Sequence, residues 1–86
     1  MTKQQYDFIK LIEESVQTPR RVRGEILVWL YFSQLEDFTR LVGHGYFYEG
    51  GVDINLQDDC VVIDIKEILE YLEIDENVIE TECGLS

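Results

Sequence analysis

Eighty-six residues suffice for one domain with a modest core, and at 45% apolar residues the chain belongs with folding sequences despite a net charge of −11. No apolar run approaches the ~18 residues of a membrane span, and "MTKQQYDFIK" lacks the apolar stretch and cleavage site of a leader peptide, so a soluble, cytoplasmic protein is expected. Cys60 and Cys83 are too few for a disulfide scaffold and His44 has no partner at metal-ligand spacing, so inert thiols and no metal or other cofactor are expected.

Along the chain, Thr2 with Gln5 makes a capping box, and Phe8, Ile9, Ile12 and Val16 recur at helical spacing, which predicts a helix over residues 3–16. "QTPRR" interrupts it. Thr18 as cap and Pro19 at the first position then predict a second helix carrying "ILVWLYF", Ile26 to Phe32. A seven-residue apolar run suits a buried strand equally well, and the upstream cap signal tips the reading to helix. Ser33 with Glu36 forms another capping box, predicting a short third helix through Leu35, Phe38, Leu41 and Val42 that stops at Gly43.

Beyond Gly43 the texture changes. "HGYFYEGG" predicts a short strand and a turn. "VDINLQ" alternates, with Val52, Ile54 and Leu56 on one face and Asp53, Asn55 and Gln57 on the other. "DD" turns the chain, and "CVVIDI" returns as a second strand. Asp64 with Glu67 reads as the cap of an amphipathic helix with Ile65, Ile68, Leu69 and Leu72 as its inner stripe. Asp75 caps a last short turn through Val78 and Ile79, and "TECGLS" is expected to fray. The sum is a single α+β domain over 1–86: about three N-terminal helices, a central antiparallel β-hairpin or three-stranded sheet, and a C-terminal amphipathic helix.

Charge divides this domain sharply. Residues 1–43, the helical part, hold six acids and six bases, whereas residues 44–86 hold twelve acids and Lys66 as the only base. Such a segment repels nucleic acid and anionic membrane and attracts basic protein surfaces at long range. Glu67, Glu70 and Glu73 fall on the outer side of the predicted helix. Glu70 and Glu73 lie near its C-terminus, where the dipole opposes them, and the Lys66–Glu70 pair runs in the weaker orientation. Asp53, Asp58 and Asp59 extend the negative field onto the hairpin. Carboxylates three residues apart rise about 4.5 Å along a helix, a row that resembles spaced phosphates. These six acids form the candidate partner-binding set, and the partner they imply is a basic protein surface such as that of a nucleic-acid-binding protein. Phage anti-restriction and anti-CRISPR inhibitors include acidic proteins of this size, a likeness of composition that no motif carries. The plain alternative is a solvated face that serves solubility.

Two rival readings use other residues. Arg20, Arg21 and Arg23 in "RRVRGE" oppose the dipole of the predicted second helix and could grip phosphate, and helix–helix–helix–hairpin is the element order of a winged-helix DNA-binding regulator. Its recognition helix, "SQLEDFTRLVG", would set Arg40 against Glu36 and Asp37, poor chemistry for a phosphate-lined groove, so pairing of these arginines with acids of the same or a neighbouring subunit is preferred. The third reading is an assembly protein or homodimer. A helix apolar all round needs burial on every side, which points to a second chain meeting Trp29, Tyr46 and Tyr48. Asp53, Asn55, Gln57 and Asp59 have calcium-loop spacing, but Asp58 stands where that loop needs glycine and Asp64 where it needs Glu. No nucleophile elbow or phosphate-cradling glycine loop is present, and a non-enzyme is expected.

Overall fold

A computed structural model describes residues 1–43, 54–57 and 60–86. The strand and turns predicted over 44–51 and 58–59 lie outside the described residues, and with them His44, Tyr46, Tyr48, Asp53, Asp58 and Asp59.

The first helix, α1 (Lys3–Glu13), begins with the reciprocal box that its sequence predicts. Thr2 Oγ1 accepts from the Gln5 amide at 3.1 Å, and Gln5 Oε1 accepts from the Thr2 amide at 2.8 Å. Its inner face buries Phe8, Ile9, Leu11 and Ile12. The helix stops short of Val16 because Ser15 Oγ turns back onto the carbonyls of Ile12 and Gln17, and the Val16 N–H donates to the Trp29 carbonyl at 2.8 Å.

The second helix is replaced by a hairpin of β1 (Arg20–Val22) and β2 (Glu25–Tyr31). Arg23 at φ 51° and Gly24 at φ 83° supply the two positive φ angles of a two-residue type I′ connection. Branched Ile26 and Val28, with aromatic Trp29 and Tyr31, fit a pleated surface better than a helix. Alternation decides the rest. Ile26, Val28 and Leu30 are fully buried on one face, Leu27 and Trp29 are half-buried on the other, and Tyr31 is exposed. A run that is apolar on both sides is thus housed in a central strand, and the inference of a partner chain from all-round helical burial loses its premise.

A 3₁₀ turn (Phe32–Gln34) leads into α2 (Leu35–Val42), which ends at Gly43 with φ 85°. Ser33 is not the cap. The buried Gln34 organises the junction instead, accepting from the Tyr31 amide at 3.0 Å and donating to the Leu11 carbonyl at 2.9 Å. Strands β3 (Ile54–Gln57) and β4 (Cys60–Asp64) complete an antiparallel four-stranded sheet in the order β1-β2-β4-β3, with Trp29 opposite Val62 and Leu56 opposite Val61. The α+β class therefore holds, and the sheet gains its additional strands from residues 20–31.

Helices α3 (Lys66–Tyr71) and α4 (Glu76–Cys83) follow. One cluster joins Phe8, Phe38, Ile68 and Ile79 to Ile26, Val28, Leu30, Val61 and Ile63, so the described helices pack on one face of the sheet. None of the described helices is long and apolar enough to cross a membrane. The end of the chain does not fray as expected. Thr81 to Cys83 belong to α4, and Ser86 is bonded to the outer edge of β1: its amide donates to Pro19 O at 3.0 Å, and its carbonyl accepts from the Arg21 amide at 2.7 Å.

Candidate functional site

The acidic segment starts at Asp64, the last residue of β4. Its half-buried carboxylate accepts from the Ile26 amide at 3.1 Å and the Lys66 amide at 3.0 Å, tying β2 to the first turn of α3. Asp64 thus caps one position before the place its sequence predicts, with Ile65 at the N-cap itself. This acid belongs to the fold.

Glu67 and Glu70 do lie exposed on α3, opposite buried Ile68 and Leu69. Glu73 departs from the expected helical row. Helix α3 ends at Tyr71, and Glu73 adopts φ 58°. The Ile74 amide donates to Leu69 O at 2.8 Å and the Glu73 amide to Glu70 O at 3.1 Å, which is the Schellman arrangement. The left-handed position of that motif is usually glycine, and a residue with a Cβ there costs about 1 kcal/mol. Gln5 Nε2 reinforces the stop by donating to Leu72 O at 2.8 Å and Glu73 O at 3.3 Å, so amide donors stand where basic side chains would ordinarily offset the dipole.

Asp75 caps α4 as its sequence predicts, its carboxylate accepting from the Asn77 amide at 2.8 Å. Beyond it, Glu80 and Glu82 are exposed. Neither was among the residues picked from the sequence; their signal was the local excess of acid. Among the described residues, Glu70, Glu73, Glu80 and Glu82 form no ion pair, and Lys66 lies outside pairing distance of Glu70. Glu76 is matched by Arg21 at 2.9 Å. That contact fulfils the expected pairing for one arginine of "RRVRGE", while Arg20 and Arg23 are exposed without an ion pair among the described residues.

The neutral half differs. Lys3 pairs with Asp7, Lys10 with Glu13, and Arg40 with both Glu36 and Asp37. The open groove between α1 and α2, about 360 Å³, is lined by several of these groups, including Lys3, Asp7, Asp37 and Arg40, so its charges compensate each other. Cys83 lies against α1 with its Sγ 3.6 Å from the Ile9 carbonyl, and burial together with Glu13 and Glu82 pushes its thiol up to about 11. Both cysteines are unbridged. Trp29 stands on the sheet face away from the described helices, near exposed Tyr31. The element order on which the winged-helix reading rested is replaced, over residues 1–43, by helix–hairpin–helix.

The chain matches no protein-family model, no curated protein and no solved structure.

Proposed function

We propose that the protein works by binding, not catalysis, and that the exposed acids of α3, its C-terminal turn and α4 engage a basic protein surface. One observation carries this reading: Glu70, Glu73, Glu80 and Glu82 stand exposed without cations among the described residues, while each helical cation of residues 1–43 is matched by an acid of its own helix. Glu73 supports it from a different direction. Local folding favours glycine at that position, so the carboxylate is placed against the backbone's own preference.

The fitting partner is a protein with a basic cleft, and nucleic acid would be the natural competitor for such a cleft. Phage-type inhibitors of nucleic-acid-processing or defence proteins are one setting for this chemistry. Affinity capture from the native host, with the chain and its Glu67→Gln/Glu70→Gln/Glu73→Gln variant as parallel baits, tests the proposal. A basic protein retained by the first and lost by the second is expected, with association slowing as salt rises. Equal retention by both baits would end the proposal. Random duplex DNA should give no gel shift at low salt.

A second reading is favoured by two neighbouring exposed aromatics, Tyr31 at 47% at the end of β2 and Phe32 at 51% in the turn that follows. It predicts self-association through Trp29, Tyr31 and Phe32. Light scattering that detects only monomer at high concentration would dismiss it.

A further inference from the structure

Strand β1 is an outer strand of the sheet, and outer strands present unpaired amides and carbonyls that another chain can take up. Two of those groups, the Pro19 carbonyl and the Arg21 amide, are already occupied by the single residue Ser86, in the pattern of a parallel bridge flanking Arg20. The edge is thus competent to take a strand, and its resident occupant is held by two backbone hydrogen bonds, a long 3.4 Å contact from Ser86 Oγ to Pro19 O and the packing of half-buried Leu85 against the core. Gly84, at φ 81°, turns the chain from α4 onto the edge, and a Cβ there would stand 3.2 Å from Thr18 Cγ2.

The edge also has a charge. Arg20, Arg21 and Arg23 are all exposed, and the segment laid beside them follows directly on Glu80 and Glu82. The molecule therefore lays the residues that follow its acidic helix along this strand, and Glu76 of that helix pairs with Arg21 at 2.9 Å. We propose that the outer edge of β1 is a strand-addition site for an extended acidic segment of a partner protein, with residues 84–86 as a displaceable intramolecular occupant. Main-chain bonds to Pro19 and Arg21 would supply the pairing, and Arg20 and Arg23 the preference for acid. This surface lies outside the acidic set proposed above and is tested independently of it.

The probe is an extended peptide of about eight residues alternating Glu and Val, compared with its Lys–Val counterpart and with a Glu–Val peptide N-methylated at alternate residues. The Glu–Val peptide is expected to bind and displace Ser86, read from the Arg21 amide resonance, while the other two do not. Ser86→Pro removes the donor to Pro19, and Gly84→Ala strains the turn; either is expected to raise affinity about tenfold. Arg20→Glu with Arg23→Glu is expected to abolish binding. Equal binding of the N-methylated peptide would overturn the proposal, because strand pairing would then play no part. So would unchanged affinity in both tail variants, dimerisation of those variants without peptide uptake, or single-stranded DNA displacing Ser86 as well as the peptide does.

Discussion

The pair α1–α2 and the pair α3–α4 solve the same problem by different means. In α1 and α2 the charges of each helix are matched locally, Lys3 to Asp7, Lys10 to Glu13 and Arg40 to Glu36 and Asp37. Exposed pairs of this kind contribute about 0–1 kcal/mol each, so they tidy the surface more than they hold it. In α3 and α4 like charges accumulate, and the helices rely on buried Ile68, Leu69 and Ile79, on the Asp64 and Asp75 carboxylates, and on Gln5 at the C-terminus of α3. The difference teaches that the acidic segment is tolerated because side-chain burial and capping, more than ion pairing, position it. Its outward carboxylates are then free to differ without consequence for the core.

The comparison can be broken or sharpened by substitution. Ile79→Ala removes a fully buried side chain from α4 and is expected to cost about 2–5 kcal/mol in urea unfolding; a loss under 1 kcal/mol would mean that α4 is not held by burial. Asp64→Ala leaves the Ile26 and Lys66 amides without their acceptor and is expected to cost about 2–3 kcal/mol, far more than losing any surface pair. Gln34→Ala unpairs the Tyr31 amide and the Leu11 carbonyl at a buried site, for about 1–3 kcal/mol, which thermal unfolding would register.

Smaller effects run in the other direction. Glu73→Gly should raise stability by about 1 kcal/mol through relief of the left-handed backbone, whereas Glu73→Ala should gain only what removing the charge supplies. Equal gains from both would assign the effect to charge alone. The least effect is expected from Arg40→Ala, within about 0.5 kcal/mol.

Cys83 offers a pH-dependent check of the contact between α4 and α1. Its thiol is raised from the ordinary 9.0 to about 11, so folding favours the neutral form. The stabilising contribution is complete below pH 9 and is lost as pH climbs toward 11, where the unfolded thiol has already ionised. Iodoacetamide at pH 8 should accordingly spare Cys83 in the folded chain and label it in urea, as mass spectrometry would show.

Much of this was legible in the sequence. The Thr2–Gln5 box, the stop at Gly43, the stripe of Ile65, Ile68, Leu69 and Leu72, the Asp75 cap and the division of charge all follow from residues within a few positions of each other. The α+β class follows from them too. What the sequence left open was decided by partners distant in the chain. "ILVWLYF" carries no local preference strong enough to choose helix or strand, and β4, about thirty residues later, supplies the ladder that makes its first six residues, with Glu25, into β2. The arginines of "RRVRGE" became an edge strand and a turn for the same reason, once "RG" could adopt two positive φ angles between paired strands. Gln34, Gln5 and Ser86 find their acceptors and donors 23, 67 and 65–67 positions away, at Leu11, Leu72, Arg21 and Pro19. Local spacing fixes which face of an element is apolar; only tertiary packing selects which distant backbone groups that element must satisfy, because an unpaired amide or carbonyl has no signature in the sequence around it.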